Sequence, residues 1–81
     1  WMYDNDKPAG AAANIANLKA GEAAWNACEA AMTTYGGMSA SAELGISKMW
    51  ARIRHMRIAP VSEQMIRNYI AERELNLPRS Y

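Results

Sequence analysis

The sequence predicts an all-α fold of three helices, the first of them long. Ile15, Leu18, Trp25, Met32 and Tyr35 recur at helical spacing with alanine filling the other faces. Two breaks, Gly36-Gly37 and Ile58-Ala59-Pro60-Val61-Ser62, then divide the chain. Nowhere is there strand-like alternation of useful length, nor a repeat of about 20 to 50 residues.

Asp6-Lys7-Pro8 reads as the start of the first helix, since aspartate can cap free N–H groups and a first-turn proline has no N–H to lose. Alanine at 16, 20, 23, 24, 27, 30 and 31 lets neighbouring helices approach closely, so this element is expected to be surrounded by others. Gly10 and Gly21 each cost about 1 kcal/mol relative to alanine in a helix interior. Gly36-Gly37 ends the helix, because glycine takes left-handed conformations without steric penalty. After a loop, Ser41 is the expected N-cap of the second helix, with Glu43 in its first turn. Its expected buried stripe is Ile46, Met49, Trp50, Ile53 and Met56, opposite Ser47, Lys48, Arg52, Arg54 and His55. Pro60 restricts Ala59, so this helix should stop near Arg57. Ser62 then caps a third helix with the stripe Met65, Ile66, Tyr69, Ile70 and Leu75, ended by Leu77-Pro78.

Eighty-one residues make one domain at most, and so short a chain buries only about 60% of its unfolded surface. Much of the 51% hydrophobic content is alanine, so the core rests on Trp25, Trp50, Tyr35, Tyr69, Ile15, Leu18, Ile46, Ile53, Ile66, Ile70 and the methionines. These have few partners within three helices, and a self-associated or partly molten chain is expected. No apolar run approaches the roughly 18 residues of a membrane span, and Trp1–Pro8 lacks the layout of a signal peptide. The chain reads as soluble, unexported and cytoplasmic. Net charge is +1 but uneven: two basic residues against five acidic ones up to Gly45, seven against three from Ile46 onward. The two halves should attract each other or different partners.

Few residue groups suggest chemistry. Cys28 is the single cysteine, on an Ala-rich helix, and reads as a packing residue. The basic stretch Lys48, Arg52, Arg54, His55, Arg57 could bind phosphate, but its cations do not form one stripe, so a solvated or salt-bridging face is favoured over a nucleic-acid surface. His55 has no second ligand type at i+3 or i+4, which argues against a metal. No nucleophile motif accompanies it. Glu72 and Glu74 are two apart and face different ways. Gly36-Gly37 alone is an ordinary helix stop.

Taken in order and register, three motifs and the chain end change that weight. Thr33-Thr34-Tyr35-Gly36-Gly37 resembles the close of an Ala-rich helix in the C-terminal part of acyl-CoA dehydrogenases, where a glutamine and two residues precede a double glycine. Ile46-Ser47-Lys48-Met49-Trp50 is similar to that family's next helix and Ile58–Ser62 to the break before its last one. One branch of the family resembles this chain in an Ala-Pro-Val/Ile-Ser break and a Leu-Pro-Arg-Ser-Tyr end. The resemblance runs without a gap from about Tyr3 to Tyr81. It implies a helical-bundle segment of an FAD flavoprotein, an oxidoreductase of fatty acid metabolism that removes a hydride and a proton from an acyl-CoA.

The resemblance also nominates cofactor-binding residues: Gly36 and Gly37, more weakly Thr33 in place of the usual glutamine, and Ser62 and Gln64 after the break. Pro60 stands where many members carry the catalytic glutamate, so no catalytic residue is expected here; other members place that base on an earlier helix. Ser39-Ala40 replaces the usual glycine-aromatic pair, and Ala51-Arg52 the arginine-acid step. Residues 1–81 are thus expected to be a partial C-terminal domain without the N-terminal and β domains. Such a piece would contribute FAD contact and oligomer surface, through self-association or a longer acyl-CoA dehydrogenase chain, and be inactive alone. The rival expectation is a small helical binding or oligomerisation module without flavin chemistry; neither nucleic acid nor membrane is an expected partner.

Overall fold

A computed structural model describes residues 1–79; Ser80 and Tyr81 of the Leu-Pro-Arg-Ser-Tyr end lie outside the described residues. It is all-helical, with α1 at Gly10–Tyr35, α2 at Ile46–Met56 and α3 at Glu63–Arg73, and short 3-10 turns at Tyr3–Asn5 and Gly36–Ala40. The 26 residues of α1 form a rod about 39 Å long, and α2 and α3 pack along it.

Both expected helix starts upstream of Pro60 move. Asp6 adopts φ 52° and closes the first 3-10 turn, its N–H donating to the Tyr3 carbonyl at 3.2 Å. Committed to that turn, it does not cap α1, which begins after Ala9 with no side-chain cap. Ser41 likewise caps no helix: its Oγ accepts the Glu43 N–H at 3.2 Å and stabilises a turn instead. The chain needs a left-handed residue before it can enter α2, and Gly45 supplies it at φ 68°, so α2 begins at Ile46 and Glu43 stays outside it. The other boundaries follow the sequence more closely. Gly36 ends α1 at φ 56°, ψ −137°, α2 stops at Met56, and Ser62 Oγ accepts the Met65 N–H at the start of α3. The third helix ends at Arg73, before Leu77-Pro78, because Asn76 turns left-handed and the Leu77 N–H returns to the Ala71 carbonyl at 3.0 Å.

Among the described residues the core consists of Leu18, Cys28 and Ile66, with Ser39 the buried polar residue. Trp25, Trp50, Ile46, Ile53 and Ile70 are half-buried. Ile15, Tyr35, Tyr69, Met49, Met56 and Met65, expected inside, are exposed, because only two short helices, α2 and α3, pack on α1. A compact protein of 9.0 kDa exposes about 4,850 Å². This chain exposes 6246 Å², an excess of about 1,400 Å². Its Cα radius of gyration, 16.4 Å, also exceeds the roughly 12 Å typical of this length.

Candidate functional site

The candidate residues fall at two places. At the far end of α1, Gly36 takes a φ and ψ combination that glycine tolerates and side chains do not, and the Ser39 hydroxyl donates to its carbonyl at 2.7 Å. Ser39 therefore holds the turn from within. A Cβ built on Gly36 or Gly37 would meet nothing within 4 Å, so the turn is open to approach from outside. At Gly37 no positive φ and no neighbour within this chain requires glycine. Thr33 sits one turn earlier, exposed, with its hydroxyl donating to the Glu29 carbonyl at 2.9 Å; its oxygen keeps acceptor capacity while its proton is engaged.

The second place is the break between α2 and α3. Arg57 closes it in two ways. Its guanidinium donates to both carboxylate oxygens of Glu63, through Nε to Oε1 and through Nη2 to Oε2 at 2.9 Å, and its carbonyl accepts the Glu63 N–H at 3.2 Å. Both side chains are largely covered, in a site that also lies against Leu18 and Gly21 of α1. Hydrogen bonding to Arg57 holds the Glu63 carboxyl below its usual range, with burial opposing the shift. Ser62 spends its acceptor on the helix cap and keeps its hydroxyl proton to donate, while Gln64 is exposed on the first turn of α3. Pro60 is exposed and offers no proton acceptor. Glu63, the carboxylate nearest to it in sequence, is a poor base because its anion is already stabilised by Arg57.

The two places are not brought together within this chain. Arg57, at the start of the break, lies beside Gly21, its Cγ 3.4 Å from where a Cβ there would stand, and Gly21 to Gly36 is fifteen residues along α1, about 22 Å. Between them stands a cluster that residue spacing alone did not reveal. Trp25 and Trp50 lie 5.2 Å apart, Arg54 and Arg57 approach the Trp25 ring at 5.5 and 5.3 Å, and Trp50 Nε1 donates to Glu29 at 2.5 Å. Of the basic stretch, Arg54 and the half-buried Arg57 thus lie over Trp25 of α1, while Lys48, Arg52 and His55, like Arg54, are exposed. The Arg57–Glu63 pair spans a proline break, where no helical spacing rule applies. The attraction between the two halves does appear, as Arg67 of α3 pairs with Glu22 of α1 at 2.6 Å, and Lys19 shares that carboxylate at 2.8 Å. Both hydrogen bonds, Lys19's first, hold Glu22 below its usual range.

Cys28 is buried, its Sγ 4.0 Å from the Ile46 carbonyl, as a packing residue would be. An almost wholly apolar groove of about 280 Å³ opens beside it between α1 and α2, floored by Ala24, Ala27 and Ala31 and walled by Ile46, Met49 and Ile53. Among the described residues no helix is long and apolar enough to cross a membrane.

Comparison with known proteins agrees with the helical architecture. The profile described as acyl-CoA dehydrogenase, C-terminal domain, matches residues 1–75. Acyl-CoA dehydrogenase FadE12 of Mycobacterium tuberculosis, strains H37Rv and CDC 1551, is 40% identical over 82 residues, as is its Mycobacterium bovis counterpart. The match takes in 99% of this chain and 21% of those proteins, so the chain spans about a fifth of the length of the curated relatives it matches. No solved structure matches.

Proposed function

The chain belongs to the acyl-CoA dehydrogenase family, and from that membership we propose that it serves as the flavin-contacting and assembly segment of an FAD-dependent acyl-CoA dehydrogenase and is inactive alone. Gly37 carries the reading: nothing inside the chain requires a glycine there, and the space before it is open. A cofactor brought close to the backbone by a neighbouring subunit supplies the missing reason. FAD accepts the hydride from an acyl-CoA when bound in the complete enzyme. The residues of this chain bind and orient it: Gly36 and Gly37 admit it to the backbone, Thr33 accepts a hydrogen bond, and Ser62 and Gln64 donate from the start of α3. Their separation suits an extended dinucleotide, or two of them held by neighbouring subunits.

The break between α2 and α3 offers no free base for the substrate's α proton, because Pro60 stands there and Glu63 is paired with Arg57. That base comes from elsewhere in the complete enzyme, as do the acyl-CoA site and the electron acceptor contact. The missing helices of the bundle would fill the α1/α2 groove, whose alanine floor accepts a close helix. A cytoplasmic setting follows from the same reading.

The test is to incubate the 81-residue chain with FAD, an acyl-CoA and an electron acceptor. No reduction of the acceptor is expected, and turnover by these residues alone would sink the proposal. The rival binding module without flavin chemistry has one observation on its side, the loss of the glycine-aromatic pair at Ser39-Ala40. Ser39's bond to Gly36 weakens that point, since it preserves the turn by another route.

A further inference from the structure

We infer that Arg57 is a positioning residue for the proposed flavin contacts: clamped on Glu63 and laid over Trp25, it fixes the break that presents Ser62 and Gln64. The inference rests on the proposed function and names the side chain that sets one of its two contact places. Ser62 and Gln64 stand one residue either side of Glu63, so whatever fixes Glu63 fixes both. Packing does not do so. Among the described residues α2 and α3 pack on α1 rather than on each other, and Ile58, Pro60 and Val61 of the break are exposed.

Three observations set Arg57 apart from an ordinary surface cation. Its bond to Glu63 is bidentate and both side chains are only 15% exposed, so the pair has one orientation and little screening. Its guanidinium also lies 5.3 Å from the centre of the Trp25 ring, which ties the end of α2 and the first residue of α3 to α1 at one point. Lysine, a compact point charge, could not make the fork and lie over the ring together. Finally, the contacts continue toward the other place: Trp25 lies 5.2 Å from Trp50, Trp50 Nε1 donates to Glu29 at 2.5 Å, and the Glu29 carbonyl accepts the Thr33 hydroxyl. One run of contacts along α1 thus connects the two places, with Arg57 at its break end. Arg67 also ties α3 to α1, through Glu22, but from the second turn of α3 and at 55% exposure.

The test uses an FAD-containing acyl-CoA dehydrogenase whose matching C-terminal segment is replaced by residues 1–81. Bound FAD is read by its visible absorption, assembly by light scattering and helix content by circular dichroism. Arg57→Lys and Glu63→Gln should each weaken FAD retention about tenfold with mass and helix content unchanged, and the double variant should lose no more than either alone, because the two side chains act as one clamp. Arg67→Gln, which removes the other α1–α3 tie, should lower the melting midpoint and leave retention intact; a purely structural role for Arg57 would not separate the two readouts. Unchanged retention in Arg57→Lys and Glu63→Gln, an equal loss in Arg67→Gln, or failure of both clamp variants to assemble would overturn this inference alone. A parent chimera that fails to assemble or holds no flavin would overturn the proposed function, and this inference with it.

Discussion

Gly36 and Gly37 are neighbours of one residue type, yet the structure asks different things of them. Gly36 sits at φ 56°, ψ −137°, so Gly36→Ala should destabilise the chain by about 1–3 kcal/mol in a thermal melt. Gly37→Ala should leave the same melt unchanged within about 0.5 kcal/mol, because the new methyl meets nothing. Under the proposed function its effect is expected in a complete enzyme, where the methyl would stand between backbone and flavin; unaltered flavin retention there would remove the case for Gly37. Gly21 shows the opposite balance. It lies inside α1, and a Cβ would rest 3.4 Å from Arg57 Cγ, an ordinary contact, so Gly21→Ala should raise stability by about 1 kcal/mol. Sequence reading found Gly36 as a stop signal from residue type alone. It could not separate the demands on the two glycines, since φ angles and empty space are properties of the folded chain.

At the level of elements, the join between α2 and α3 is held by the Arg57–Glu63 pair and the Ser62 cap. Ser62→Ala should cost about 1 kcal/mol, read as a lower melting midpoint with less helix at the α3 end. The Glu63 and Glu22 carboxyls are held below the value near 4.3 that they have when unfolded. Their stabilisation is therefore present above about pH 4.3 and is lost as pH falls through the lower folded values. Melting midpoints measured from pH 6 to pH 2 should drop in the acid arm, and drop less in Glu63→Gln and Glu22→Gln; a wild-type midpoint flat across that interval would contradict both pairings. The sequence made the helix ends near Tyr35, Met56 and Ser62 legible, because proline, double glycine and a serine cap act locally. The starts of α1 and α2 were not legible, since Asp6 and Ser41 had competing local uses that only the turn geometry reveals. The Arg57–Glu63 and Arg67–Glu22 pairs escaped helical spacing rules because their partners lie across a break and on another helix, though the charge asymmetry foreshadowed the second.

As a whole molecule the chain is a rod with two helices laid along one side, and its surface reads as unfinished. Leu18, Cys28 and Ile66 are too small a core for 81 residues, which explains the exposure of side chains that their spacing had placed inside. The fold class and the family were legible because helical periodicity and ordered motifs survive in a segment. Which surfaces are interior was not, because two short helices packed on α1 leave many apolar side chains at helical spacing exposed. The central claim, that this segment presents its double glycine to a flavin while the chemistry lies elsewhere, is tested most directly by the flavin content of a chimera. An FAD-containing acyl-CoA dehydrogenase in which residues 1–81 replace the matching C-terminal segment should retain bound FAD, and Gly37→Ala in that chimera should weaken retention about tenfold, the equivalent of about 1.4 kcal/mol. A folded, assembled chimera that holds no flavin, or one that holds it equally well with alanine at position 37, would contradict the claim.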